Sequence, residues 1–233
     1  MTEQRDLAGL SALVTGATSG IGRAAAEELA RHGAEVIVHG RDNARGAAVV
    51  DAITADGGRA RFAAADLGDQ AGLEELVRQV GTVDVLVNNA GFSWFGPTRD
   101  LDPQTFDQLF AALAPKMAAR GRGSIINLGS MAGQIGLSGG AAYGATKAAL
   151  ASLTRSWAAE FSPSGVRVNA VAAGPVATSV ERAERTEALG ATTLLSRPAQ
   201  PDEIANAIVF LASPRASYLT GAVIAADGGR TAI

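Results

Sequence analysis

Short apolar runs rich in Val, Ile and Ala recur along the chain, separated by longer segments in which Ala and Leu mix with Arg and Glu at helical spacing. Seven of these runs have strand length: 12–14, 35–39, 61–64, 83–88, 124–128, 167–171 and 222–225. They are too uniformly apolar to leave one face in water, so the pattern predicts strands covered on both sides by helices. Strand alternating with helix implies an α/β chain with a Rossmann-type, doubly wound, mainly parallel seven-stranded sheet. Residues 21–31 read as a helix whose Ala24, Ala25, Leu29 and Ala30 let it lie close on that sheet. A further helix is expected to open with Asp102 as N-cap and Pro103 in its first turn. No linker or low-complexity tract divides the sequence, which predicts a single domain over 1–233.

Composition narrows the chemistry. At 233 residues, 47% hydrophobic and 18% charged, the chain is able to bury one sizeable core. A net charge of -3 with both signs interspersed gives no continuous positive face, which argues against nucleic acid and anionic lipid as partners. There is no cysteine, and only His32 and His39 offer imidazole, so neither a disulfide framework nor a metal site is expected. No apolar stretch approaches the ~20 residues of a membrane span, and Glu3, Arg5 and Asp6 interrupt the first ten residues. The expectation is a soluble, cytoplasmic protein.

The first strand runs into Thr15-Gly16-Ala17-Thr18-Ser19-Gly20-Ile21-Gly22 and then directly into a helix. Gly16 permits a tight turn, Gly20 lets backbone approach a pyrophosphate, and Gly22 allows close helix–strand packing. The helix N-terminus would offer unpaired N–H groups to phosphate, with Ser19 and Ile21 in the same turn. At the end of the second strand, Gly40 stands where a carboxylate would hold a ribose 2′-hydroxyl, and Arg41 follows. A guanidinium there suits a 2′-phosphate, which favours NADP over NAD. In the competing reading, Arg41 is a solvated loop residue and Asp42 takes the ribose, leaving NAD as the cofactor.

Further on, Ser130 closes the fifth strand, and Tyr143-Gly144-Ala145-Thr146-Lys147 lies on the helix that follows. The i,i+4 spacing puts Tyr143 and Lys147 on one helix face. A phenol is a weak acid and base at neutral pH, and an ammonium beside it favours the phenolate, so the pair is suited to moving a proton. Ser130 would donate to a substrate oxygen on which negative charge develops. An isolated Tyr-x-x-x-Lys is as compatible with a core aromatic and a solvated lysine; here it occurs with the glycine turn.

The glycine turn, with three residues between its first two glycines, resembles that of the short-chain dehydrogenase/reductase family in its classical subgroup, and Ser130, Tyr143 and Lys147 are spaced like that family's catalytic triad. Asn88-Asn89-Ala90-Gly91 is similar to its NNAG element, which implies that Asn88, Ala90 and Gly91 stabilise the sheet and line the adenosine side of the cofactor. Asp66 and Leu67 resemble the pair that contacts the adenine ring. The stretch from Asn169 through Gly174, Val176 and Thr178 matches the segment that reaches the nicotinamide carboxamide and the phosphates. Gln200 to Ile204, and Thr220-Gly221 through Gly229, resemble the closing helix and strand, so the likeness covers nearly the whole chain. It implies hydride transfer between NADP, or NAD, and a small carbonyl or alcohol: reduction of a ketone, with a 3-oxoacyl thioester as one candidate, or oxidation of a sugar or other secondary alcohol. It also implies a homo-oligomer, dimer or tetramer.

One departure stands out. After Phe106-Asp107 the family carries a Val-Asn step whose asparagine holds a water in the proton relay from the lysine. Here no asparagine lies between Asp102 and Gly123, and the segment is shorter by on the order of a dozen residues at 3.6 per turn. A true deletion and a stretch missing from the sequence both account for this. A true deletion would remove a relay member and cut the helix that commonly builds the dimer face, which keeps open a catalytically silent nucleotide-binding or scaffold protein. Ala173-Gly174 also replaces the usual Pro-Gly. The substrate side is expected to draw on Phe92, Trp94, Phe95, Met131, Gln134, Ile135 and the segment 179–193, an aromatic wall suited to an apolar or mid-sized carbonyl compound. Trp94 and Phe95 serve equally well as packing residues. Val180 to Arg185 reads as a solvated helical turn within a lid.

Overall fold

Each apolar run forms a strand in the computed structural model, which describes residues 5–90 and 108–232. The strands are β1 (Ser11–Val14), β2 (Glu35–Gly40), β3 (Arg59–Ala64), β4 (Val85–Asn88), β5 (Gly123–Ser130), β6 (Val166–Ala173) and β7 (Val223–Ala226). They make one sheet in the order β3-β2-β1-β4-β5-β6-β7, every neighbouring pair parallel. β5 and β6 outrun the apolar pattern because their pairing continues through Gly129↔Ala172 to Ser130↔Ala173. β4 starts later than expected. The Asp84 carboxylate just before it accepts from Ser11 N and Oγ at 3.0 and 3.1 Å, which ties the starts of β1 and β4 together.

The uniform apolarity of the strands follows from a core on both faces. Successive side chains in a strand point to opposite sides. Val14, Val36, Val85 and Ile126 therefore pack into one layer, with helices α1 (Gly20–Arg31), α2 (Asn43–Ala55) and α7 (Pro201–Ala212). Their neighbours Leu13, Ile37, Leu86 and Ile125 pack into the other, with α3 (Gln70–Val80), α4 (Gln108–Ala119) and α5 (Ala141–Phe161). The remaining helix, α6 (Ala183–Gly190), follows a 3-10 turn at Val180–Arg182. Both are largely exposed, as the charge pattern of that segment suggested.

Two features of this frame position the site. The chain order reverses between β1 and β4, so the connections leaving their carboxyl ends diverge and leave a crevice there. The shortened stretch before β5 still supplies a packed helix: Leu113 and Met117 of α4 are fully buried, and Phe110 stacks on Trp157 of α5 with ring centres 3.7 Å apart. Phe161 meets Phe110 edge-on at 5.5 Å. The C-terminal half of α5 is thus fixed against α4, while its N-terminal half carries Tyr143 and Lys147. Among the described residues, no helix is long and apolar enough to cross a membrane. Gly91, Phe92, Trp94, Phe95 and the expected cap at Asp102-Pro103 lie outside the described residues.

Candidate active site

The turn after β1 is built by close backbone approach. Gly16 has φ +63° and Gly20 φ +55°, a region that favours glycine. A Cβ on Gly22 would lie 2.3 Å from Gly16 O and 2.4 Å from Asn89 Nδ2, and one on Gly20 would lie 3.2 Å from Thr178 Cγ2. The turn therefore has the Asn89 side chain under it and Thr178 beside it. Asn89 Nδ2 donates to Thr15 O and Gly16 O at 2.8 and 3.1 Å, and the backbone N–H groups of Asn89 and Ala90 donate to Thr15 Oγ1. Asn88 turns the other way: its Nδ2 donates to Asn127 Oδ1 at 3.0 Å, and the buried Asn127 donates to Thr154 Oγ1 of α5.

Helix α1 starts at this turn without a side-chain cap: Ser19 occupies the N-cap in extended conformation, and its hydroxyl makes no cap bond. The neighbouring helices differ. Asp42 caps α2 by accepting from Arg45 N, and Asp69 caps α3 by accepting from Ala71 and Gly72 N. With no acid in its first turn, α1 leaves its N-terminal N–H groups and partial positive charge facing the crevice.

At the β2 end, a Cβ on Gly40 would lie 2.4 Å from Thr18 Cγ2, so the close approach of the glycine turn requires the missing side chain at this position. Arg41 is exposed and pairs with Asp66 at 3.6 Å. The Asp66 carboxyl is held below its ordinary range, first by the Gly68 N–H it accepts and then by Arg41. Leu67 packs partly buried against the α3 side of the core. The Asp42 carboxylate is engaged by Arg45 N at 3.0 Å and Arg45 Nε at 2.9 Å.

Ser130 ends β5, and its Oγ accepts from Ala132 N at 3.2 Å, opening a 3-10 turn at Met131–Gly133. That turn lies directly on α5. A Cβ on Gly133 would lie 2.8 Å from the Lys147 carbonyl carbon, and one on Gly144 would lie 2.7 Å from Ala132 O. Lys147 Nζ is 5.8 Å from the centre of the Tyr143 ring and donates to Leu128 O at 2.8 Å. Burial pushes the Lys147 ammonium below its ordinary value of 10.5. Ser130, Gln134 and Lys147 line one small cavity together with Gly129, Ala151 and Ala172. Met131 is buried, and Ile135 is partly so.

The segment after β6 returns toward the glycine turn. Gly174 N donates to Ala226 O, and a Cβ at Gly174 would lie 2.6 Å from Asp227 Cα. Val176 bridges Ala199 in parallel, with Ala177 N donating to Ala199 O. Thr178 is then exposed beside Gly20. The crevice thus gathers the glycine turn, Thr178 and the Asn89 clamp, and the Ser130 turn is packed onto the Tyr143-Lys147 face of α5. Asn88 and Leu67 are turned into packing and sheet contacts. The contacts of Thr15, Asn89 and Asn127 follow from no motif along the chain. Asn127 carried a signal, an amide inside the apolar run Ile125-Ile126-Asn127-Leu128.

The family model described as enoyl-(acyl carrier protein) reductase matches residues 16–231. A solved short-chain dehydrogenase/reductase family protein is 47% identical, covers 98% of this chain and 100% of its own, and superposes with a TM-score of 0.89. This chain belongs to the short-chain dehydrogenase/reductase family. Galactitol 2-dehydrogenase (L-tagatose-forming) of Cereibacter sphaeroides is 40% identical, with 97% of this chain and 96% of that protein aligned. A Beutenbergia cavernae protein described as an NAD(P)-dependent gluconate 5-dehydrogenase, solved with bound NADP, is 38% identical with a TM-score of 0.90, covering 99% and 100% of the two chains. Like these relatives, this short-chain dehydrogenase/reductase is an oxidoreductase of secondary alcohols or their ketones. The alignment to the galactitol enzyme spans 248 positions against 233 residues here, so that relative carries residues with no counterpart in this chain.

Proposed function

We propose that the chain is an NADP-dependent reductase of a ketone to a secondary alcohol, working reversibly, with Tyr143 as the acid and base. The observation that carries this reading is the Lys147 ammonium 5.8 Å from the Tyr143 ring on a helix onto which the Ser130 turn is packed. The residues fit a dinucleotide: a glycine cradle that a Cβ would fill, and a first helical turn left without its own cap. Gly16, Ser19, Gly20, Ile21, Gly22 and Thr178 would hold its phosphates, Asp66, Ala90 and Gly91 its adenosine, and Gly174 and Val176 its nicotinamide end. When bound, the nicotinamide supplies or accepts the hydride.

The protein's own part is proton chemistry and charge placement. In reduction, Tyr143 gives its phenolic proton to the substrate oxygen as that oxygen gains negative charge, and Ser130 donates a hydrogen bond to the same atom. The Lys147 ammonium stabilises the phenolate left behind. In oxidation the phenolate takes the hydroxyl proton back. Arg41 supplies the guanidinium for a 2′-phosphate, and Asp42, engaged in capping α2, leaves the ribose to it. Galactitol and gluconate, which appear in the descriptions of the relatives above, belong in the first panel, beside 3-oxoacyl thioesters. Absorbance of the reduced nicotinamide, followed with each of these and with NADP or NAD, tests the reading. Turnover with at least one ketone–alcohol pair is expected. Tight cofactor binding with no turnover on any of them would favour a catalytically silent binding protein.

A further inference from the structure

His39 is the penultimate residue of β2, almost fully buried, and the catalytic reading gives it no part. Its ring bridges two parts of the crevice. Gly16 N lies 3.3 Å from Nδ1, and Nε2 lies 3.2 Å from Ala65 O. Its own carbonyl accepts from Ala17 N at 2.8 Å. Because the Gly16 N–H is a donor, Nδ1 must be the acceptor and Nε2 must carry the proton that reaches Ala65 O. One neutral tautomer satisfies both contacts. Burial acts in the same direction, pushing the imidazole below its ordinary value against the weaker opposing effects of Ala65 O and the Asp66 carboxylate.

We infer that His39 is a positioning residue for the cofactor, fixing the glycine turn at Gly16 to the adenine-side turn at Ala65-Asp66 through a neutral Nε2–H imidazole. Gly16 is held from opposite sides: its N–H by His39 and its carbonyl by Asn89 Nδ2. A turn whose left-handed glycine is fixed at both its donor and its acceptor is preorganised, and a bound dinucleotide need not order it. The same ring sets the distance from that turn to Asp66, which pairs with Arg41. A single buried side chain thus links the phosphate and adenosine ends of the proposed cofactor site. The inference rests on the assignment of the glycine turn to the cofactor phosphates.

Three substitutions separate the two contacts. In His39→Asn the amide oxygen can take the Nδ1 position and accept from Gly16; in His39→Gln the amide nitrogen can take the Nε2 position and donate to Ala65 O; His39→Leu does neither. Dissociation constants measured by reduced-cofactor fluorescence should rise about tenfold or more in His39→Leu. His39→Asn should restore most of that loss and His39→Gln less, with kcat at saturating cofactor within about threefold of wild type throughout. Imidazole nitrogen NMR of the wild type should show Nε2 protonated and Nδ1 bare, with and without cofactor.

Unchanged cofactor affinity in His39→Leu, a loss that His39→Asn leaves unrepaired, or a proton on Nδ1 would each overturn the inference. Should His39→Leu fail to fold, the order of His39→Asn over His39→Gln in affinity still decides it. Ser19→Asp is the control for the underlying assignment, since aspartate is a good N-cap and leaves the fold intact while placing a negative charge at the phosphates. Wild-type affinity in Ser19→Asp would sink the glycine-turn reading itself, whereas wild-type affinity in His39→Leu alone would sink only the role of His39.

Discussion

The Lys147 ammonium stands beside the Tyr143 ring, 5.8 Å from its centre, and is tethered by a 2.8 Å hydrogen bond to the carbonyl of Leu128 on the neighbouring strand. The tether comes from the end of β5, two residues before Ser130. One short stretch therefore both carries the proposed hydrogen-bond donor to substrate and holds the lysine beside the tyrosine. The shortened segment before β5 has no asparagine to hold a relay water, and a backbone carbonyl of β5 supplies the Lys147 contact seen here.

Burial of Lys147 is open to direct measurement. Removing water from an ammonium disfavours its charged form, so Lys147 should titrate below 10.5. The chain has two lysines, Lys116 and Lys147, and a Lys116→Arg variant leaves one amine signal to follow by NMR. A midpoint at or above the ordinary lysine value would show that the amine is solvated and is not held under the Tyr143 face.

Arg41 divides its charge between Asp66 and any 2′-phosphate. Arg41→Ala should lower the preference for NADP over NAD by about tenfold or more, mainly through a higher KM for NADP. Asp66→Asn frees the guanidinium and should shift the preference the opposite way. Side-by-side kinetics with both cofactors decide it, and a preference indifferent to Arg41 would return the ribose to Asp42.

The Asn88–Asn127–Thr154 chain ties β4 to β5 and to α5 inside the core. Asn127→Leu leaves the half-buried Asn88 amide without its acceptor and the buried Thr154 hydroxyl without its donor, which should cost about 1–3 kcal/mol. For a chain of this size that lowers Tm by about 2–4 °C per kcal/mol. Thermal unfolding checks the figure, and an unchanged Tm would mean that water replaces the amide.

Glu203 links the segment that pairs with Val176 to α7. Its carboxylate accepts from Arg197 Nη1 and Nη2 at 2.7 and 2.6 Å and from Gln200 N at 2.8 Å. These partners pull it down to about 2 from 4.5. A depressed carboxylate stabilises the fold above its unfolded value and loses that contribution as pH falls through its folded value. The Tm gap between wild type and Glu203→Gln should therefore be full above pH 4.5 and close progressively toward pH 2. A gap independent of pH across that window would contradict the ion pair.

Much of this fold could be read from periodicity. Paired apolar residues such as Leu13-Val14 and Ile125-Ile126 announce a sheet covered on both faces, because each member of the pair serves a different layer. The glycine turn and the Tyr143–Lys147 spacing were legible for the same reason: each follows from local geometry along one element. The contacts between elements were not. Asn89 under Gly16, Asn127 between Asn88 and Thr154, and His39 between Gly16 and Ala65 join residues from 23 to 73 positions apart, and no pattern along the chain encodes which buried polar group faces which. The α1 cap is a middle case. Ser19 was legible as part of the glycine turn, whereas its place at the N-cap, with no cap bond from its hydroxyl, emerged only in three dimensions.

The most direct test of the central claim is the rate of reduced-nicotinamide consumption by wild type and Tyr143→Phe, measured on the same ketone at saturating cofactor. The account predicts that losing the phenolic proton lowers kcat by about 100-fold to 10,000-fold while cofactor affinity stays within about threefold. A Tyr143→Phe enzyme that turns over at the wild-type rate would contradict it.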